Sequence, residues 1–166
     1  MAIAVGDRMP EVGLDVWRGG RGERVTSGAF FSGKRIALFA VPGAFTSTCS
    51  EVHLPGFLAR ADDLKAHGAD EVVCTAVNDA AVLGAWAQAT GAAGHITMLA
   101  DGSGDLAREL GLELDGRGFG MGMRSRRYAA VVNDGVVEYL GVEPGREVGV
   151  SSAEAVLAAL RSAASQ

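Results

Sequence analysis

Ile36-Ala37-Leu38-Phe39-Ala40-Val41-Pro42-Gly43-Ala44-Phe45-Thr46-Ser47-Thr48-Cys49-Ser50 joins a compact apolar run to the start of a helix. The run Ile36–Val41 is strand-sized and free of polar residues, as expected for a strand covered on both faces. It ends at Pro42. A helical pattern starts at Ser50 and reaches His67, with an interruption expected at Pro55-Gly56. Past that point Phe57, Leu58, Ala61 and Leu64 share one face, and Gly68 is a suitable stop. A doubly buried strand feeding a helix through a short loop is the repeating unit of an α/β protein.

The flanking sequence repeats that unit. Glu71–Val77 reads as a strand, and Asn78 or Asp79 caps a helix reaching about Thr90. Ile96–Ala100 is a strand and Gly104–Leu110 a short helix, followed by a glycine-rich loop over Gly116–Gly122. Tyr128–Asn133 and Val136–Val142 are strands joined by Asp134-Gly135, a tight-turn signal. Ala153–Ala163 is a final amphipathic helix capped by Ser151 or Ser152, and upstream Val12–Trp17 and Arg24–Thr26 form a hairpin around Arg18–Gly22. The order predicts an α/β, thioredoxin-like fold with a mixed central sheet flanked by helices. A Rossmann fold is the rival, but no GxGxxG turn follows the first strand, and no Walker-type loop is present.

The 166 residues suit one domain over residues 1–166, and 48% hydrophobic with 21% charged residues is the profile of a soluble globule. A net charge of −5 is unlike a nucleic-acid binder; the cluster Arg124, Arg126 and Arg127 is too small to track a phosphate backbone. No stretch approaches the roughly 18 apolar residues of a membrane helix, and the N-terminus does not read as a signal peptide. A cytoplasmic protein is expected. Two cysteines, Cys49 and Cys74, are too few for a disulfide framework. His53, His67 and His95 show no metal-ligand spacing, and no cofactor motif is evident.

In a reducing compartment a free thiol is either an inert core residue or a reactive centre. Cys49 falls at or near the first turn of a helix, where unpaired N–H groups favour a thiolate. Thr46, three residues earlier, can fold its hydroxyl toward the sulfur or toward a small ligand. Pro42 is rigid, offers no N–H, and can wall off one side of the sulfur. On chemistry alone the alternative stays open that Thr46 or Thr48 is only an N-cap and Cys49 a small core residue.

Pro42-x-x-x-Thr46-x-x-Cys49, within the string PGAFTSTCSEVHLPGF, resembles the active-site motif of peroxiredoxins of the peroxiredoxin 5-like, or type II, subfamily. Val77-Asn78-Asp79-Ala80 with Trp86, Leu99-Ala100-Asp101-Gly102, Arg124-Ser125-Arg126-Arg127-Tyr128 and Val150-Ser151-Ser152-Ala153 extend the similarity from about Val5 to Leu160. The resemblance implies a thiol peroxidase that reduces hydrogen peroxide and small organic hydroperoxides through a sulfenic acid at Cys49. It implies that Thr46 bonds the sulfur and a peroxide oxygen, that Pro42 shields the site, and that Arg127 stabilises the thiolate and aligns the peroxide. Arg124 also matches an arginine of the subfamily. Glutathione with glutaredoxin, or thioredoxin, would be the reductant, and a homodimer the assembly.

Two positions depart from the pattern. Ser47 stands where much of the subfamily has proline, and Val150 stands where one branch carries a resolving cysteine. Cys74 lies in a strand expected to be covered on both faces, which suits a buried core thiol, although the plant-like branch has a cysteine at the matching position. Two readings compete with turnover: a non-enzymatic thiol sensor or binding module, and a thiol hydrolase built on Cys49 and His53, one helical turn apart.

Overall fold

The computed structural model describes residues 2–164. Strands β1 (Gly13–Arg18) and β2 (Arg21–Thr26) form the N-terminal hairpin. Its connection is tighter than the expected five-residue turn. Gly19 and Gly20, at φ 58° and 82°, occupy the two left-handed positions of a two-residue turn. A one-turn helix, α1 (Ser27–Phe31), follows at once, capped by Thr26. At five residues it is too short to leave a periodic pattern in the sequence. β3 (Arg35–Ala40) is the strand of the opening apolar run.

The next helix differs from expectation. It is not interrupted at Pro55-Gly56. A π-helical turn over Cys49–His53 runs directly into α2 (Leu54–Ala66), with Pro55 in the first turn of α2. Pro55 has no N–H, and its ring would crowd the Glu51 carbonyl in a regular α-helix. The wider turn, in which Leu54 N–H reaches Cys49 O, absorbs both problems without breaking the helix.

β4 (Glu71–Ala76), α3 (Ala80–Thr90), β5 (Thr97–Ala100) and α4 (Asp105–Leu110) continue the alternation. Asp79 caps α3 by accepting from Val82 N–H at 2.9 Å. The glycine-rich loop is more ordered than its composition suggests. It is the head of a ribbon formed by β6 (Glu113–Asp115) and β7 (Met123–Ser125), with a 3₁₀ turn at Arg117–Phe119. β8 (Tyr128–Asn133), β9 (Val136–Val142) and α5 (Ala153–Ala164) close the described chain.

Seven strands form one sheet in the order β2-β1-β5-β4-β3-β8-β9. β3, β4 and β5 are mutually parallel, and β8 lies antiparallel to β3. Strand alternation sorts β3 into two cores. Ala37 and Phe39 meet α2, α3 and α5 through Phe57, Leu64, Trp86 and Leu157. Ile36, Leu38 and Ala40 meet α1 and α4 through Phe31, Leu106 and Leu110. Both faces are covered, as the unbroken apolar run requires. This is the mixed, helix-flanked sheet of the thioredoxin-like class. Among the described residues no helix is long and apolar enough to cross a membrane.

Candidate active site

The sheet register brings the predicted residues together. β3 pairs Ala40 with Thr75 of β4 on one side and with Tyr128 of β8 on the other. The chain leaving β3 therefore emerges between the residues that follow β4 and the residue that precedes β8. That residue is Arg127. Cys49 enters from the same edge, at the head of its helix. Sites in open α/β sheets commonly lie at this carboxyl edge.

The loop between Val41 and Cys49 is tightly braced. Ala44 N–H donates to Asn78 Oδ1 at 2.9 Å, and Arg124 donates to Val77 O and Met121 O. Arg124 thus ties the segment after β4 to the 116–122 loop. A Cβ at Gly43 would stand 3.2 Å from Met121 Cε and Thr46 Cγ2, so the neighbouring side chains close on its bare backbone. Phe45, at the loop tip, adopts φ 65°, uncommon outside glycine.

Cys49 is 1% exposed, yet its side lines a cavity of about 470 Å³. Pro42, Thr46 and Arg127 line the same cavity. Leu114, Phe119 and Met121 form an apolar wall, and Arg146 lies over the Phe119 ring at 5.1 Å. Arg127 Nη2 donates to Cys49 Sγ at 3.2 Å. All four predicted site residues therefore share one cavity.

One detail differs from the expected arrangement. The Thr46 hydroxyl donates to Gly43 O at 2.6 Å. A hydroxyl has a single proton, so Thr46 does not also donate to the sulfur. Its oxygen keeps lone pairs with which to accept a proton. Ser50 N–H meanwhile donates to Thr46 O at 2.9 Å, which makes Thr46 the turn-opening residue of the helix as well.

His53 lies behind Arg127, and its ring does not face the thiol. Arg127 Nη1 approaches His53 Nδ1 at 2.7 Å, and His53 Nε2 approaches Ser151 O at 2.8 Å. With both nitrogens engaged elsewhere, His53 cannot serve as the base of a Cys–His hydrolase. Glu143, opposite Arg127 across the β8/β9 pair, accepts from Gly149 N–H, Ser151 N–H and Ser151 Oγ with one oxygen. Burial alone would raise its pKa, but these bonds, led by the Ser151 hydroxyl, hold it below the usual carboxylate range. In the sequence Ser151 stands out only as a possible helix cap and as part of the Val150–Ala153 family match, and Glu143 carries no signal of its own. Ser152 is the residue whose hydroxyl caps α5, through Ala155 N–H.

Cys74 is fully buried in β4 between Phe39 and Met98. Burial pushes its thiol well up. Both cysteines are free. Trp86 and Tyr128 are buried packing residues, Trp86 also donating to Ser50 Oγ at 3.0 Å.

Burial lowers the His53 pKa from 6.5 to about 4, aided by the Arg127 charge against the opposing pull of Ser151 and Glu143. Between these values the unfolded chain binds a proton that the native chain refuses. Stability is therefore complete above pH 6.5 and falls as pH drops toward 4, by about 3 kcal/mol at most from this one group. Denaturant midpoints measured from pH 7 to 4.5 should fall more steeply for the wild type than for His53→Gln. Parallel curves would contradict this.

The family model for Redoxin matches residues 4–157. Peroxiredoxin-2E-2, chloroplastic, of Oryza sativa subsp. japonica is 45% identical over 163 residues, covering 95% of this chain and 72% of that protein. Peroxiredoxin-2B of Arabidopsis thaliana is 43% identical, covering 95% of this chain and 98% of that one. The crystal structure of reduced Prx3 in complex with H2O2 from Vibrio vulnificus superposes with a TM-score of 0.92 at 46% identity, covering 99% of each chain.

Proposed function

The chain belongs to the peroxiredoxin family of thiol-dependent peroxidases, and from that premise we propose that Cys49 is the sulfur that attacks the peroxide. The observation that carries this is the Arg127 guanidinium, 3.2 Å from Sγ at the wall of an open cavity. A fixed cation, with one of its N–H donors already on the sulfur, faces the point where negative charge develops.

The thiolate attacks the hydroxyl oxygen of the peroxide. The S–O bond forms as the O–O bond breaks, and the sulfur is oxidised while the peroxide is reduced. Cys49 becomes a sulfenic acid, and the second oxygen leaves as hydroxide or alkoxide, which takes a proton from solvent. Arg127 stabilises the thiolate before the step and the leaving oxygen during it. Thr46 Oγ1 accepts the peroxide O–H and so orients it. Pro42 keeps water from one side of the sulfur.

Hydrogen peroxide and small organic hydroperoxides are the proposed substrates. The reduced relative from Vibrio vulnificus was crystallised with H2O2. A cavity of about 470 Å³ also leaves room for a substrate larger than water. A thiol returns the sulfenic acid to the thiol state. Glutathione with glutaredoxin, or thioredoxin, is proposed as its source, because Val150 leaves no cysteine before α5 and Cys74 is buried. A homodimer and a cytoplasmic location are part of the same proposal.

Rapid mixing of the reduced protein with H2O2 tests the reading. Sulfur oxidation should run orders of magnitude faster than for free cysteine, and turnover should depend on the added thiol system. A rate no greater than that of free cysteine would leave the rival sensor or binding module as the better account.

A further inference from the structure

The guanidinium that faces the sulfur is also held from behind. Arg127 carries only donors, so His53 Nδ1, 2.7 Å from Nη1, must accept. Ser151 O can only accept, so His53 Nε2, 2.8 Å away, must carry the proton. These two contacts select one tautomer of a neutral imidazole. We propose that His53 is a positioning residue for the peroxidase reaction, its unprotonated Nδ1 fixing the Arg127 guanidinium so that Nη2 stays on the Cys49 sulfur. The proposal rests on the reading of Cys49 as the attacking sulfur, but the contact it describes exists independently of turnover.

Three features support it. The ring is 1% exposed and packs against Phe39 and Phe57, with centroids 5.0 and 5.5 Å away, so it has no freedom to swing aside. Burial keeps the ring neutral at physiological pH, which preserves the accepting lone pair. Finally, its own partner is fixed. One Glu143 oxygen accepts from Gly149 N–H at 2.6 Å, Ser151 N–H at 2.8 Å and Ser151 Oγ at 2.6 Å, which pins the peptide whose carbonyl orients the imidazole. The chain of contacts runs from Glu143 through Ser151 and His53 to Arg127 and ends on the sulfur.

The physical need is orientation. An arginine has four side-chain torsions, and a donor aids the displacement only if it is already aimed when charge develops. Charge alone would act from many rotamers; a bond to Sγ requires one. His53 supplies the restraint without entering the proton transfer, because both its nitrogens are committed.

Two variants and one spectrum test the proposal on the full chain. His53→Phe keeps a flat ring between Phe39 and Phe57 but removes the acceptor. His53→Gln can still donate to Ser151 O and accept from Arg127. Oxidation by H2O2 should slow by about 10–100-fold in His53→Phe, the scale of a misaimed catalytic group, and recover most of that loss in His53→Gln. Nitrogen NMR of the wild type should show His53 protonated at Nε2 only, with separate Arg127 Nη signals that persist in His53→Gln and average together in His53→Phe. Equal rates in wild type and His53→Phe, or a His53→Gln rate as low as that of His53→Phe, would overturn the proposal. So would a wild-type spectrum with a proton on Nδ1 or freely averaging Arg127 signals, a result readable even if His53→Phe does not fold. A wild type that reacts as slowly as free cysteine would remove the peroxidase reading instead, and the spectrum would still decide whether His53 holds Arg127.

Discussion

Cys49→Ser should abolish peroxide consumption, while Cys74→Ala should leave the first oxidation step unchanged. The two thiols occupy opposite situations in one core. Cys49 borders the open cavity and receives a guanidinium N–H. Cys74 is fully enclosed in a central strand, with Phe39 and Met98 as its ladder neighbours. A serine at 49 keeps the shape but offers a hydroxyl that does not ionise under these conditions, so no competent nucleophile remains. Alanine at 74 places no unpartnered hydroxyl in the core. Direct participation of Cys74 as resolving thiol would require Cα atoms within about 7 Å and access between the two sulfurs, and hence an unwinding of the turn that carries Cys49. Stopped-flow oxidation followed by mass measurement separates the steps. Peroxide consumption persisting in Cys49→Ser, or sulfenic acid formation slowing severely in Cys74→Ala, would reverse the roles assigned to the two residues.

Much of this was legible in the sequence because strand and helix signals agreed. The unbroken apolar run of β3 announced burial on both faces, and two cores meet it there. The Asp79 cap and the Asp134-Gly135 turn were chemical signals that needed no tertiary context. What escaped depended on register or on competing backbone demands. Counting back from the 134–135 turn pairs Tyr128 with Gly141 and so places Val142 opposite Arg127. A bulge at Val131/Val132 shifts the pairing by one, setting Tyr128 against Val142 and Glu143 against Arg127. Composition does not reveal a bulge, so the buried carboxylate behind the site could not be located. His53 was visible as a residue one turn from Cys49. Its partners come from 74 and 98 residues away, so its role as acceptor could not be read from spacing. Pro55 suggested a break; the π turn resolved the missing donor instead.

Arg127→Ala should lower the rate of Cys49 oxidation by about 10²–10³-fold, the usual cost of losing one preorganised donor at developing charge. Arg127→Lys should recover only part of this. A lysine ammonium is a point charge without the planar fork that lets one side chain reach Sγ and His53 Nδ1 together. The alanine variant also strips the buried His53 Nδ1 of its donor, an unsatisfied acceptor worth about 1–3 kcal/mol. That loss would register in denaturant unfolding and must be distinguished from the kinetic one. Added guanidinium ion makes the distinction. The vacated space borders the open cavity, so the small cation can enter and stand where the side chain stood. Recovery of rate with rising guanidinium, at concentrations far below those that unfold the chain, assigns the loss to the missing donor. A rate within a few-fold of wild type in Arg127→Ala would transfer the charge-stabilising role away from Arg127, and with it the geometric basis for reading position 49 as the attacking sulfur.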